Sequence, residues 1–186
     1  MTTHGETVKV RAYATEDARS TLAVFLDAVT TTASQDYSPE QIAAWSAPGE
    51  RDVGAWNLAR ARLKTVVAVV AGNVSGFSDV SADGYIDMMF VSPVHGRRGV
   101  ASALLREVER RAKSLNATTL STDASITARP FFEQHGFVVE AKQHPVIRGV
   151  RMTNYRMLKQ LPQLSTDSRG SDPAGPRLGA CAQSSF

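Results

Sequence analysis

Hydrophobic and polar residues alternate from Thr7 to Tyr13, where Val8, Val10 and Ala12 stand against Lys9 and Arg11. That period of two predicts a half-buried β-strand. The pattern then lengthens. Leu22, Phe25, Leu26 and Val29 recur at helical spacing, with Thr15 placed to cap the helix and Asp17 in its first turn. Ser38 followed by Pro39 starts a further short helix, because proline suits the first helical position. Trp45, Trp56 and Leu58 lie in this irregular helical region and are expected either to anchor it to the core or to line a pocket.

The next stretch predicts a three-strand meander. Residues 65–70 (TVVAVV) form a buried strand, AGN a hairpin turn and VSGFSDV the returning strand. SADG turns the chain again into a third strand, YIDMMFV. A helix follows from about Arg97 to Leu115, then the strand ATTLST and a short helix in SITARPFFEQHGF that Gly136 ends. VVEAKQH and VRMTNYRMLK predict a final antiparallel pair. The order implies a mixed α/β domain with one central sheet.

Composition alters this picture in three ways. From Pro162 the sequence turns rich in Ser, Gly, Pro and Asp, so residues 1–160 are expected to form the domain and 161–186 a disordered tail. The hydrophobic fraction of 42% over 186 residues is enough for a real core. The net charge of +3 is modest, and much of the basic excess, Arg97, Arg98, Arg106, Arg110 and Arg111, gathers near one helix. That favours a local anion site over a nucleic-acid surface, which needs a longer basic stripe with interleaved aromatics. The single cysteine, Cys181, rules out a disulfide within the chain, and the four histidines lack ligand spacing, so no metal is expected. No apolar leader and no membrane-length apolar run occur, which predicts a cytoplasmic protein without membrane partners.

The candidate chemistry lies in HGRRGVA, between the third strand and the long helix. A helix N-terminus exposes unpaired N–H groups and the positive end of the macrodipole, and phosphates sit there readily. Gly96 and Gly99 permit tight turns that turn successive N–H groups toward one anion, and Arg97 or Arg98 adds charge-assisted hydrogen bonds. Taken alone, the loop reads equally as a surface turn with solubilising arginines. A Rossmann loop does not fit, since the spacing is Gly-x-x-Gly-x-Ala, and a Walker loop lacks its Gly-Lys-Ser/Thr. The helix is expected to bury Ala101, Leu104, Leu105, Val108, Ala112 and Leu115, with Glu107–Arg111 and Glu109–Lys113 pairs on its solvated side.

The run IDMMFVSPVHGRRGVASALLREVERRA resembles the signature of the GNAT superfamily of N-acyltransferases, whose R/Q-x-x-G-x-G/A loop grips the pyrophosphate of acetyl-CoA. TDASITARPFFEQHGF resembles a later segment of that superfamily, N-x-x-A-x-x-F-Y-E-K-x-G-F. YSPEQIAAW, GYIDMMFV, ASITARPFF and TNYRM together resemble the YafP-like branch. The likeness covers about Val8 to Leu158. It implies a mixed, mostly antiparallel sheet splayed near the cofactor and flanked by helices on both faces. It also implies acetyl-CoA as co-substrate, a small-molecule or protein amine as acceptor, and leaves a homodimer open. By the same resemblance, Phe90 and Val91 would offer backbone groups to the pantetheine arm. Arg97, Arg98, Gly99, Val100 and Ala101 would surround the pyrophosphate, with Ser102 close by. Three positions depart from the pattern: Gly96 replaces the usual Arg/Gln, Ser125 the usual Asn, and Phe132 a tyrosine that in many relatives protonates the leaving thiolate.

The implied reaction is direct attack of a neutral amine on a thioester. An amine of pKa about 10.4 costs roughly 4–5 kcal/mol to present neutral at pH 7, so a carboxylate base is expected. Asp87, flanked by Ile86, Met88 and Met89, is the first candidate, with a paired structural aspartate as the other reading. Asp123 is the second, unless it caps the following helix. Tyr155 is the replacement acid, unless it simply packs on the sheet. Arg129 either reaches the cofactor or a substrate carboxylate, or is solvated. The missing hydroxyl at Phe132 and the missing amide at Ser125 keep a second function in view, a non-catalytic acyl-CoA sensor.

Overall fold

One strand changes sheets halfway along, and that change organises the molecule. The computed structural model describes residues 7–162. In chain order, β1 (Lys9–Ala12) leads to α1 (Ala18–Asp27), α2 (Pro39–Ser46) and α3 (Val53–Arg62). Then come β2 (Val66–Val70), β3 (Asn73–Ser78), β4 (Tyr85–Ile86), β5 (Met89–Val91) and α4 (Val100–Ser114). The chain continues with β6 (Thr119–Ser125), α5 (Arg129–Gln134), β7 (Val138–Gln143), β8 (Val146–Ile147), β9 (Val150–Arg151) and β10 (Asn154–Gln160).

The strands form two four-stranded sheets, ordered β1-β2-β3-β5 and β4-β6-β10-β7, with β8-β9 a separate hairpin. All pairings are antiparallel except β4 with β6. The expected third strand, YIDMMFV, is therefore two pieces. Tyr85 and Ile86 pair with β6, while Met89 to Val91 pair with β3. The single sheet inferred from the element order is split at Asp87–Met88.

Burial follows the two-residue period. From β2, Val66, Ala68 and Val70 pack under α4 with Val100 and Leu104, while Val67 points the other way, to Phe25, Trp56 and Phe77. The first sheet is thus covered on both faces. The second sheet packs Ile86, Leu120, Ala124 and Met157 against Leu105, Val108 and Ala112 of α4 and Phe132 of α5. β3 lies so close beneath α4 that a Cβ on Gly76 would fall 2.9 Å from the Phe90 carbonyl oxygen and 3.0 Å from Val100.

Several local expectations are corrected. Thr15 does not cap α1: residues 15–17 form a 3₁₀ turn, and the Asp17 carboxylate accepts the Ala14 N–H while pairing with Arg11 at 2.6 Å. In α4, Leu115 is exposed and Val100 and Ala103 take the buried positions. Glu107 does pair with Arg111, at 2.9 Å, but Glu109 turns to Lys159 on β10, at 2.6 Å, rather than to Lys113. Leu161, assigned to the tail, is packed in the core and donates its N–H to Thr118 O at 2.8 Å. Residues 163–186 of that tail, with Cys181, lie outside the described residues. Among those described, no helix is long and apolar enough to cross a membrane.

Candidate active site

The break between β4 and β5 is held from beneath by one carboxylate. Asp79 is buried at the end of β3, and its Oδ1 accepts the N–H groups of both Asp87 and Met88 at 3.2 Å. Its Oδ2 receives Arg60 Nη1 at 2.6 Å, and both side chains of that pair are buried. The Arg60 guanidinium lies over Trp56, 5.1 Å from the ring centroid, which lowers the cost of burying it. Burial pushes the Asp79 carboxyl up to about 6, although Arg60 and the two amide donors pull the other way. Asp87 itself projects outward from the break, half-exposed, with Oδ2 3.8 Å from Arg60 Nη2. One buried charge pair thereby fixes the backbone on which the exposed carboxylate stands.

Two cavities meet at this break. The larger, about 330 Å³, is lined by Asp87, Asp123, Tyr85, Arg51, Tyr37 and Met152 among others. The smaller, about 240 Å³, runs from Val91 and Ala101 to Phe131 and Thr127 and is mostly apolar. Trp45, Met89, Phe90, Ser125, Ala128 and Phe132 border both. The opening exists because β5 leaves β6: β4 pairs with β6, and β5 does not.

The basic loop connects Val91 to Ala101, two residues that line the smaller cavity. Pro93–His95 make a 3₁₀ turn, and residues 96–99 are exposed. The positive φ values fall on Arg97 (60°) and Gly99 (78°), whereas Gly96 has φ −57°. The expectation that both glycines supply special backbone is thus corrected: an arginine takes one left-handed position, and only Gly99 exploits glycine's freedom. A Cβ on Gly99 would meet nothing within 4 Å, so conformation, not crowding, is what it supplies. Among the described residues, the first turn of α4 has neither a side-chain cap nor an acidic residue of its own. Exposed amides at an uncapped helix start, two arginines and an apolar slot behind them suit a molecule with a phosphate end and a flexible chain.

The predicted site residues separate into two groups. Asp87, Asp123, Phe90 and Phe132 line the larger cavity, and Val91 and Ala101 join Phe90 and Phe132 at the smaller one. Asp123 sits within β6 and not at a helix cap. Arg156 on β10 lies 2.8 Å from its Oδ1, and the Tyr85 hydroxyl donates to its Oδ2 at 3.2 Å. Tyr155 and Arg129 line neither cavity. Tyr155 packs against the core of the second sheet, with the Arg129 guanidinium 4.6 Å from its ring centroid, and Arg129 pairs with Glu133 at 2.7 Å. Of the two readings of Tyr155, replacement acid and packed tyrosine, this placement agrees with the packed one. Ser102 is held at 3.1 Å by His135 Nε2, whose Nδ1 lies 2.8 Å from Phe131 O. Ser125, in the asparagine position, accepts the Ala128 N–H at 3.0 Å and starts the turn into α5.

Sequence reading missed Tyr85, Tyr37 and Arg51 as site residues. Burial, reinforced by Asp123, pushes the Tyr85 phenol up to about 12, so its hydroxyl stays protonated and donates. Tyr37 joins α2 to the second sheet, donating to Thr153 O at 2.5 Å and accepting the Ile126 N–H at 3.0 Å. An alternating sequence pattern marks which side chains face a sheet's surface, but not which surfaces lie across a cleft. Among the described residues, no group of three His, Cys, Asp or Glu is placed to hold a metal ion.

The chain is similar to known acetyltransferases across this whole architecture. Residues 33–159 match the acetyltransferase (GNAT) domain. The chain is 41% identical over 150 residues to the uncharacterized N-acetyltransferase YafP of Escherichia coli (strain K12), covering 81% of this chain and 94% of YafP. A GCN5-related N-acetyltransferase structure from Rhodopseudomonas palustris superposes with a TM-score of 0.80 at 30% identity, over 87% of this chain and all of that one. YncA of Salmonella typhimurium, solved with its cofactor acetyl-CoA, shares the fold at a TM-score of 0.62 and 18% identity, over 88% of this chain and 99% of that one. With a domain match spanning residues 33–159 and a relative this similar over nearly its full length, the chain belongs to the GNAT family of acetyltransferases.

Proposed function

We propose that the protein moves an acetyl group from acetyl-CoA to a primary amine by direct attack within a ternary complex. The observation that carries this reading is the meeting of two cavities at the β4–β5 break: one is lined by Val91 and Ala101, which the basic loop connects, and the other carries carboxylates. Acetyl-CoA supplies an activated thioester. The amides around Arg97 to Ala101, with the two arginines, hold the diphosphate. Phe90 and Val91 offer backbone groups to the pantetheine arm along the apolar slot.

Asp87 accepts the proton that the amine must lose, directly or through one water. Its position on the break, at the rim of the larger cavity, supports this role. Asp123, partnered by Tyr85 and Arg156, adds negative charge to the same wall and favours a cationic acceptor's entry. Phe132 stands at the junction of the two cavities with no hydroxyl to give. A thiol with pKa near the cysteine value of about 8.5 leaves as thiolate with only modest help, so that position does not require an acid.

The test is paired. Calorimetry with CoA is expected to give saturable binding, and a thiol-release assay with acetyl-CoA and a panel of primary amines is expected to give turnover. Binding without thiol release would favour a sensor, and preference for NAD or ATP over CoA would overturn the reading altogether.

A further inference from the structure

Arg51 stands on the wall of the larger cavity without a carboxylate partner among the described residues. Its Nε donates to Ser46 O at 2.8 Å and its Nη2 to Trp45 O at 2.7 Å, so two of its nitrogens tie down the end of α2. Among the described residues, Nη1 makes no such bond. The guanidinium lies over Phe25, with its Cζ 4.3 Å from the ring centroid, and is half-buried. A helix C-terminus offers about half a negative charge, which does not balance a full positive one. The charged groups that act on Arg51 are two further cations, Arg148 and Arg60, and these are already paired, with Glu50 and Asp79. Burial and those cations hold the Arg51 pKa below its ordinary value, as befits a cation lacking a counter-charge.

The same cavity therefore carries charge of both signs. Its wall carries the Asp87 carboxylate and the Arg51 guanidinium together, along with Asp123, which is already paired with Arg156, and aromatic side chains such as Phe25 and Trp45. A buried charge is stable when paired, and an arginine fork is suited to a carboxylate. A cavity of about 330 Å³ also sits in the range of small-molecule sites rather than protein grooves.

We propose that the acceptor is a small dipolar amine, a primary amine carrying a carboxylate, with its amine at Asp87 and its carboxylate on Arg51. This rests on the acetyltransferase reading above and narrows it. Arg51 is then a residue that selects the acceptor and not one that takes part in proton transfer.

The test uses matched pairs of amines that differ only in the carboxylate: phenylalanine against phenethylamine, and a series of ω-amino acids against the alkylamines of the same length. The wild-type chain is expected to favour the carboxylate member of at least one pair by about tenfold or more in kcat/KM, the size of one charge-assisted hydrogen bond. Arg51→Met is expected to collapse that preference to about threefold or less, mainly through KM for the amine, while KM for acetyl-CoA stays near wild type. Because Arg51 also ties down α2, Arg51→Lys is the second variant. It keeps the charge and is expected to retain part of the preference. Neutral amines favoured in every pair, or no carboxylate member turned over while CoA still binds, would overturn the proposal and leave the acetyltransferase reading standing. A preference unchanged in a folded Arg51→Met would overturn it too. Failure of the wild-type chain to bind CoA would sink the acetyltransferase reading, and this proposal with it.

Discussion

Arg60 and Asp79 meet at 2.6 Å inside the core, and the free oxygen of Asp79 holds the two amides that define the β4–β5 break. Stability and site geometry thus share one ion pair. Removing Arg60 leaves the Asp79 charge buried alone, which costs about 3–5 kcal/mol, whereas removing the Asp79 charge leaves Arg60 facing Asp87 at 3.8 Å. Arg60→Met is expected to lower the free energy of unfolding by that order in urea titrations, and Asp79→Asn by less, because burial already disfavours the ionised carboxyl it replaces. The double variant is expected to lose less than the sum of the two, and kcat to fall in both single variants because Asp87 stands on the backbone they anchor. Additive losses would show that the pair is not coupled.

Acid titration separates two carboxylates by sign. The folded-state pKa of Asp79 is raised to about 6 from an ordinary 3.8, so between those values the folded chain keeps a proton that the unfolded chain has released. Asp79 therefore makes stability fall as pH rises from about 4 to about 6, by about 3 kcal/mol. Glu107 runs the other way. Hydrogen bonds from Arg110 and Arg111 hold it down to about 2 from 4.5, so its contribution is present above pH 4.5 and is lost as pH falls toward 2. Glu107 lies on the surface of α4, where screening keeps the gain under about 1 kcal/mol. Urea unfolding across pH 4 to 8 is expected to show the downward slope in the wild type and in Glu107→Gln, and a flatter profile in Asp79→Asn. An equal slope in Asp79→Asn would assign the effect to another group.

The parts of the fold set by local periodicity were legible in the sequence. The β2 valines, the α4 stripe and the Ser38 cap, whose hydroxyl accepts the Gln41 N–H at 3.2 Å, all follow from spacing alone. The strand break did not, because its cause lies eight residues upstream: YIDMMFV has uninterrupted strand character, and only the buried Asp79 reaching back to two amides stops it. Glu109 was misassigned for a similar reason. Lys113 is the helical neighbour, but Lys159 comes from a strand 50 positions away. The site followed the same division. The loop and Asp87 lie in a continuous motif, whereas Arg51 reaches the cavity only through tertiary packing.

The loop carries a prediction that separates folding from binding. Gly99 has φ 78° and open space around its Cα, so Gly99→Ala is expected to fold at a cost of about 1 kcal/mol. Gly99→Glu adds to that strain a negative charge where a diphosphate is proposed to sit. It is expected to fold, by its thermal melt, yet to show no CoA binding in calorimetry. Retained affinity in Gly99→Glu would move the diphosphate elsewhere.

The carboxylates of the larger cavity are distinguished by which kinetic constant moves. Asp87 is half-exposed on the break, close enough to Arg60 to be oriented but not tied by a hydrogen bond, so it is free to take a proton. Asp123 is committed to Arg156 and Tyr85. Asp87→Asn is expected to lower kcat by about 100-fold or more, the usual worth of a positioned base, with CoA affinity nearly unchanged. The residual activity is expected to rise with pH, because only amine already neutral in solution would then react. Tyr85→Phe removes the hydroxyl that orients Asp123 and is expected to raise KM for the amine more than it lowers kcat. If Asp87→Asn instead keeps wild-type kcat and Asp123→Asn loses it, the base is Asp123, and Arg156 and Tyr85 are its positioning partners.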